Sequence, residues 1–154
     1  PPVLDAFCAA FNAHDLDALT ALLLDSSCVE VVGATTMYGP AWAKQTALWG
    51  MLFGVRRLVQ ADTKGGIEAR FMQGIDDTLP RVEVREHRGR HVLVHWYTHE
   101  DGEAVRALTL VDCEGVQVAH LRNYFFTPEL IEEVCAELAL PFRSNGHRWS
   151  LPKG

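Results

Sequence analysis

No two cysteines of the chain are spaced as C-x-x-C, and the four thiols, Cys8, Cys28, Cys113 and Cys135, lie far apart. That pattern gives no support to a thiolate zinc site or a disulfide framework, and fits free thiols in a reducing compartment. The chain also lacks a long apolar run: the longest, around 18–24, falls well short of the roughly 18 residues of a membrane span. Basic residues are scarce, with 14 Lys and Arg against 20 Asp and Glu and a formal net charge of -6, and they are scattered. Nucleic-acid affinity comes largely from Lys and Arg neutralising phosphate, so this domain is not expected to bind nucleic acid directly. A Gly-rich phosphate loop and a nucleophile elbow are both missing. With no leader-like segment to read, a cytoplasmic protein without membrane attachment is expected.

What is present suits one domain: 154 residues, 48% of them hydrophobic. Val3, Leu4, Phe7, Cys8 and Phe11 recur at helical spacing, and Leu16, Leu19, Leu22 and Leu23 give a second helical stripe after a short connection. Ser27 to Val32 is a β-branched run that predicts a strand. Pro40 opens a predicted third helix through Phe53, closed by Gly54, with Trp42 and Trp49 one heptad apart and so on one face. The stretch 56–79 reads as turns around a short element at 67–72. After Pro80 the pattern is β throughout, with strands predicted at Arg81–His87, His91–His99, Glu103–Asp112 and Val116–Phe126, separated by Gly turns. Thr127 then stands as an N-cap and Pro128 as the first helical residue, followed by a stripe of Leu130, Ile131, Val134, Cys135 and Leu138. The tail 141–154 reads as extended. Helices, then a meander of strands, then a terminal helix is an α+β order. The fold expected is a cone-shaped, curved antiparallel sheet wrapped around the N-terminal helices, with an open mouth.

The text FNAHDLDALTALL at 11–23, CVEVVG at 28–33 and DCEGVQVAHLRNYFF at 112–126 resembles the SnoaL-like branch of the nuclear transport factor 2-like (NTF2-like) superfamily. The resemblance spans almost the whole chain and implies a cystatin-like α+β roll. More narrowly, LWGMLFG at 48–54, His95-Trp96-Tyr97, RNYFFTPEL at 122–130 and LPFRSNGHRW at 140–149 resemble the C-terminal domain of extracytoplasmic-function (ECF) sigma factors of bacterial RNA polymerase. The NPDKL and DGGGR motifs of the best-described fused sigma factors are absent, with Thr127-Pro128-Glu129-Leu130 at the first position. This resemblance implies a non-catalytic regulatory domain whose partner is RNA polymerase or the sigma core regions. The Pro1-Pro2 start without a methionine fits the C-terminal part of a longer protein.

His87, His91, His95 and His99 are spaced by four, but they straddle a Gly turn. A spacing of four along a strand separates residues by about 13 Å, too far for one ion, so no metal site is expected, and no cofactor. The ionisable residues His95, Tyr97, Arg106, His120, Arg122 and Tyr124 sit mid-strand among apolar neighbours. Facing inward, they would line a pocket for a hydrophobic small molecule with Trp49 above it. Facing outward, they would make cross-strand pairs or a homodimer surface, and alternation alone does not choose. No catalytic residue is assigned. The rival reading is a small enzyme acting on a hydrophobic polyketide- or steroid-like molecule, with Glu30 or Asp112 as general base and Arg106 or Tyr97 stabilising an oxyanion. It requires a carboxylate deep in the cavity.

Overall fold

One helical turn separates Phe7 from Phe11, and in the computed structural model of the chain, which describes residues 1–55 and 78–145, both rings are fully buried. They belong to α1 (Pro2–Asn12), where Pro2 sits in the first turn and its missing N–H costs nothing. His14, at φ 55°, turns the chain into the short helix α2 (Leu16–Ala21), where the Asp15 carboxylate caps by accepting from the Ala18 N–H at 3.0 Å. The second helix is shorter than its leucine stripe predicts. Leu23 is instead the first residue of β1 (Leu23–Val31), where it is buried and pairs with Val118. Sheet pairing here overrides a helical periodicity that was only two turns long.

The sheet is completed by β2 (Thr35–Tyr38), β3 (Arg81–His87), β4 (Arg90–His99), β5 (Gly102–Glu114) and β6 (Gln117–Tyr124), in the order β2-β1-β6-β5-β4-β3. It is curved and unclosed, and the architecture is α+β as expected. The three C-terminal hairpins follow the predicted Gly turns, and β3 has the predicted bounds. The sheet is not wholly antiparallel, however. β1 and β6 run parallel, because the rest of the sheet lies between them in sequence and brings β6 back alongside β1 in the same sense. Two bulges interrupt the ladders. Opposite His95 and Trp96 the register passes from Ala107 to Val105, leaving Arg106 as the extra residue. Opposite Asp112 and Cys113 it passes from His120 to Val118, leaving Ala119 extra. Each bulge re-aims the side chains beyond it.

Both faces of the central strands are apolar. On the inner face Leu93, Val29, Val118 and Leu121 pack with Phe7, Phe11 and Leu19 of the N-terminal helices. On the outer face Val92, Val94, Trp96, Val105 and Leu108 pack with Ile131, Val134 and Cys135 of the C-terminal helix α5 (Pro128–Leu138). Thr127 precedes that helix as expected, but its hydroxyl makes no cap bond and is buried without a partner among the described residues. The segment after α5 lies along β5, with the Val105 N–H donating to Pro141 O at 2.8 Å and the Arg143 N–H to Val105 O at 3.1 Å. The predicted turns of 56–77 and the end of the tail, 146–154, fall outside the described residues. All four cysteines are free, as read, but only Cys135 is buried and Cys113 is exposed. No helix among the described residues is long and apolar enough to cross a membrane.

Asn12, at the end of α1, fixes the helix to the rim of the sheet. Its Nδ2 donates to Val82 O at 2.9 Å, and its Oδ1 accepts from the Val82 N–H at 2.8 Å, as a neighbouring strand would. Asn12→Ala removes both bonds at once. Urea unfolding should show a loss of about 1–3 kcal/mol, and an unchanged midpoint would show that water replaces the amide at no cost.

Candidate functional site

The helix that roofs the inner face begins as α3 (Pro40–Ala43), passes through a π-helical turn at Lys44–Leu48 and resumes as the α-helix α4 over 49–55. Within the π turn the Thr46 hydroxyl donates to Trp42 O at 2.6 Å. A π turn inserts extra residue per turn and so rotates everything after it about the helix axis. The heptad reading put Trp42 and Trp49 on one face, and the π turn separates them: Trp42 is 52% exposed, while Trp49 faces a cavity beneath the helix.

That cavity, of about 420 Å³, lies between α4 and the open end of the sheet. Trp49, Met51 and Val55 form its roof, Val31 and Met37 one side, and His95, Tyr97, Asn123, Phe125 and Phe126 its floor and far wall. Phe125 and Phe126 meet edge to face, with centroids 4.7 Å apart. The walls are mostly apolar with a few polar groups converging from three strands, the usual character of a small-molecule site. Gly50 and Gly54 also line it, and a side chain at Gly50 would meet no described atom within 4 Å.

Three of the sequence-predicted ligand residues, Trp49, His95 and Tyr97, come together here. His95 is fully buried, its Nε2 2.6 Å from the Thr109 hydroxyl and its ring edge-on to Phe11 at 5.3 Å. Burial lowers its pKa to about 3, so the ring is neutral at physiological pH. Burial pushes the Tyr97 phenol up to about 12, against the opposing pull of Arg106. Both groups therefore enter the cavity as uncharged hydrogen-bonding groups.

The other four candidates do not line this cavity. Arg106, the bulge residue, is buried under the C-terminal segment. Its Nε donates to Asn145 Oδ1 at 2.9 Å, its Nη2 to Ser144 O at 2.8 Å and its Nη1 to His99 Nε2 at 2.9 Å. Desolvation lowers it to about 10, which leaves it a cation. His120 and Arg122 lie on the opposite face because the Ala119 bulge shifts the alternation of β6: Val118, Leu121 and Asn123 point inward, and the residues between Leu121 and its neighbours point out. There His120 Nε2 is 3.7 Å from Glu30 Oε1, His120 Nδ1 is 3.9 Å from Asp112 Oδ2, and Arg122 Nε is 3.9 Å from Glu30 Oε1. Tyr124 lines a smaller outer groove of about 230 Å³ with Val92, Leu108 and Val134. The two carboxylates nominated as general base, Glu30 and Asp112, thus pair with cations on the outer face. Among the described lining residues of the cavity there is no carboxylate.

Sequence reasoning missed Thr109 and Asn123. Both are buried, and Asn123 Nδ2 donates to the Thr109 hydroxyl at 3.1 Å. A polar residue opposite another across β5 and β6 is a legible signal only when the register is known, and the Ala119 bulge hides it. Among the four evenly spaced histidines, His87 pairs with Glu137 on the outer surface and His99 with Arg106. No cluster able to hold a metal ion occurs among the described residues.

No family model and no curated protein matches the chain. Among solved structures it is similar to a hypothetical protein with a ketosteroid isomerase-like fold from Catenulispora acidiphila, determined in complex with trimethylamine (16% identity, TM-score 0.48, 92% of this chain and 95% of that one). It is also similar to an LEH-like epoxide hydrolase of M. tuberculosis (19%, 0.46, 89% and 90%). An NTF2-like protein of unknown function from Cytophaga hutchinsonii is a third such structure (13%, 0.47, 84% and 91%). Nothing in these names links the chain to sigma factors. At such identities none of their activities carries over.

The buried neutral His95 makes the fold acid-sensitive. An unfolded imidazole titrates near 6.5 and the folded one at about 3, so across that window only the unfolded chain takes the proton. Stability is complete above about pH 6.5 and declines as the pH falls toward 3. Lowering the pH from 7 to 5 should cost on the order of 2 kcal/mol from this residue. Urea titrations at several pH values should show a shallower decline in His95→Gln, and equal slopes would refute the assignment.

Proposed function

We propose that the chain is a non-catalytic regulatory domain that holds a neutral, hydrophobic small molecule between α4 and the inner face of the sheet. The observation that carries this reading is the pairing of an apolar cavity with polar groups that titrate far from neutrality, His95 at about 3 and Tyr97 at about 12. General acid–base chemistry is most efficient when the catalytic pKa lies near the working pH, and neither group meets that condition. Burial instead suits them to recognise an uncharged molecule. Glu30 and Asp112, the bases nominated for an enzyme, are held by His120, Arg122 and Arg90 on the opposite face.

The wider role is that of a C-terminal domain of an ECF-type sigma factor, acting on transcription initiation through the sigma core or the polymerase. Its support is the sequence resemblance at 48–54, 95–97, 122–130 and 140–149. In such a role the ligand changes transcription only by binding two conformations of the protein unequally.

A neutral fluorophore, 1-aminoanthracene, tests the cavity. It should bind the protein and be displaced by neutral hydrophobic molecules, and Trp49→Ala, which removes the indole that lines the cavity, should weaken it tenfold or more. Equal binding by the variant would put the site elsewhere. Run-off transcription with the sigma factor encoded in the same reading frame, with and without this domain, tests the wider role; equal transcription would remove it. A carboxylate-dependent turnover of a ketone or epoxide, lost on mutating a residue of the cavity, would instead favour the enzyme.

A further inference from the structure

The outer groove, of about 230 Å³, lies on the opposite face of the sheet from the cavity beneath α4. Val92 of β4 and Leu108 and Leu110 of β5 floor it, Leu130 and Val134 of α5 wall it, and Tyr124 of β6 joins the lining. One end has a different character. His87, Arg88 and Arg90 line it there, all from the hairpin between β3 and β4. Arg88 at φ 51° and Gly89 at φ 77° make the tight turn of that hairpin, which is fastened to α5. His87 pairs with Glu137, and Arg88 Nη2 donates to Glu133 Oε1 at 3.1 Å and to Glu137 Oε1 at 2.7 Å. His87 and Arg88 are thus committed to holding the end of the groove in place. Arg90 is not: its guanidinium makes no hydrogen bond among the described residues. The carboxylate beside it, Asp112, stands with Oδ1 3.7 Å from Arg90 Nη2, beyond hydrogen-bond distance, and both side chains are exposed.

A guanidinium offers two parallel N–H donors that match the two oxygens of a carboxylate. The size of the groove limits what can carry that carboxylate. Sites for drug-sized ligands run to roughly 300–1,000 Å³, and this one is smaller, so it suits a narrow chain better than a fused ring system. Its length fits as well. Val94, Leu108 and Tyr124 form one row across β4, β5 and β6, and Arg90 lies four residues from Val94, about 13 Å along the strand. We propose that the outer groove binds a single-chain amphiphile with an anionic head, a medium-chain carboxylate, its head on Arg90 and its chain along Val92, Leu108 and Leu110 under the edge of α5. Asp112 is not part of the lining, and it keeps His120, whose Nδ1 is 3.9 Å from Asp112 Oδ2, when Arg90 turns to the ligand. Leu130, 39% exposed, is the side chain such a chain would cover. This site is separate from the cavity beneath α4 and does not depend on what that cavity holds.

Titration of the methyl-labelled full chain with monomeric decanoate, followed by NMR, tests the proposal. The methyl signals of Leu108, Leu110, Leu130 and Val134 should shift and saturate. Arg90→Gln keeps a polar side chain of similar reach and removes the charge, and at an exposed position it should leave the urea midpoint in place. It should weaken decanoate about tenfold and leave 1-decanol, which has the same chain and no charge, unchanged. Equal effects of the substitution on the two probes, or none on decanoate, would overturn the anionic head. Shifts confined to the methyls of Val31, Met51 and Val55 would place decanoate beneath α4 and overturn the outer site. Absence of any saturable shift would overturn it as well.

Discussion

A sheet that is apolar on both faces has to be covered twice, and this requirement governs the arrangement of the chain. In β4 and β5, Leu93 and its inward neighbours need one cover, while Val92, Val94, Trp96, Val105 and Leu108 need another. The N-terminal helices supply the first and α5 the second. The two covers differ in completeness. α5 lies over β4 and β5 and leaves β1 and β6 to a polar strip of Glu30, His120 and Arg122. On the inner side α1 and α2 fill one end of the concavity with Phe7, Phe11 and Leu19, and the other end stays open beneath α4. Among the described residues, the cavity is therefore the part of a doubly apolar sheet that the helices do not fill.

Much of this was legible in the residues. The β3 to β6 hairpins were marked by Gly turns, α1 by its Phe spacing, and α5 by Pro128 and its stripe. The boundaries moved where pairing outweighed local pattern, as at Leu23, and the π turn at Lys44–Leu48 left no signature in a heptad count. The site was half readable. Trp49, His95 and Tyr97 were singled out as aromatic or ionisable residues in apolar company and do share a cavity. His120 and Arg122 looked the same by that criterion, but a single extra residue, Ala119, put them on the other face. A period-two argument loses its meaning past any bulge, and this sheet has two.

The bulge at Arg106 shows the opposite use of the same device. It turns a guanidinium toward the segment that follows α5, where His99, Ser144 and Asn145 satisfy it, and Asn145 in turn donates to Phe125 O at 3.2 Å. Phe125 forms part of the cavity wall. Ser144 and Asn145 are thus tied both to one buried cation and to the same rim that a ligand would touch. Coupling between occupancy of the cavity and the position of that segment has a short, physically continuous route.

Asn12 carries a consequence for how the molecule meets others. An outer strand offers bare amides and carbonyls to any passing chain, and Val82 would be such an offer on β3 were its N–H and C=O not already held by the Asn12 amide. A foreign strand docking there would first have to evict a side chain that imitates one. At the opposite border β2 spans only Thr35–Tyr38, too short to template much. The sheet is in this way discouraged from lengthening into a ribbon of copies, and recognition is directed to the broad surfaces of the molecule and away from its hems.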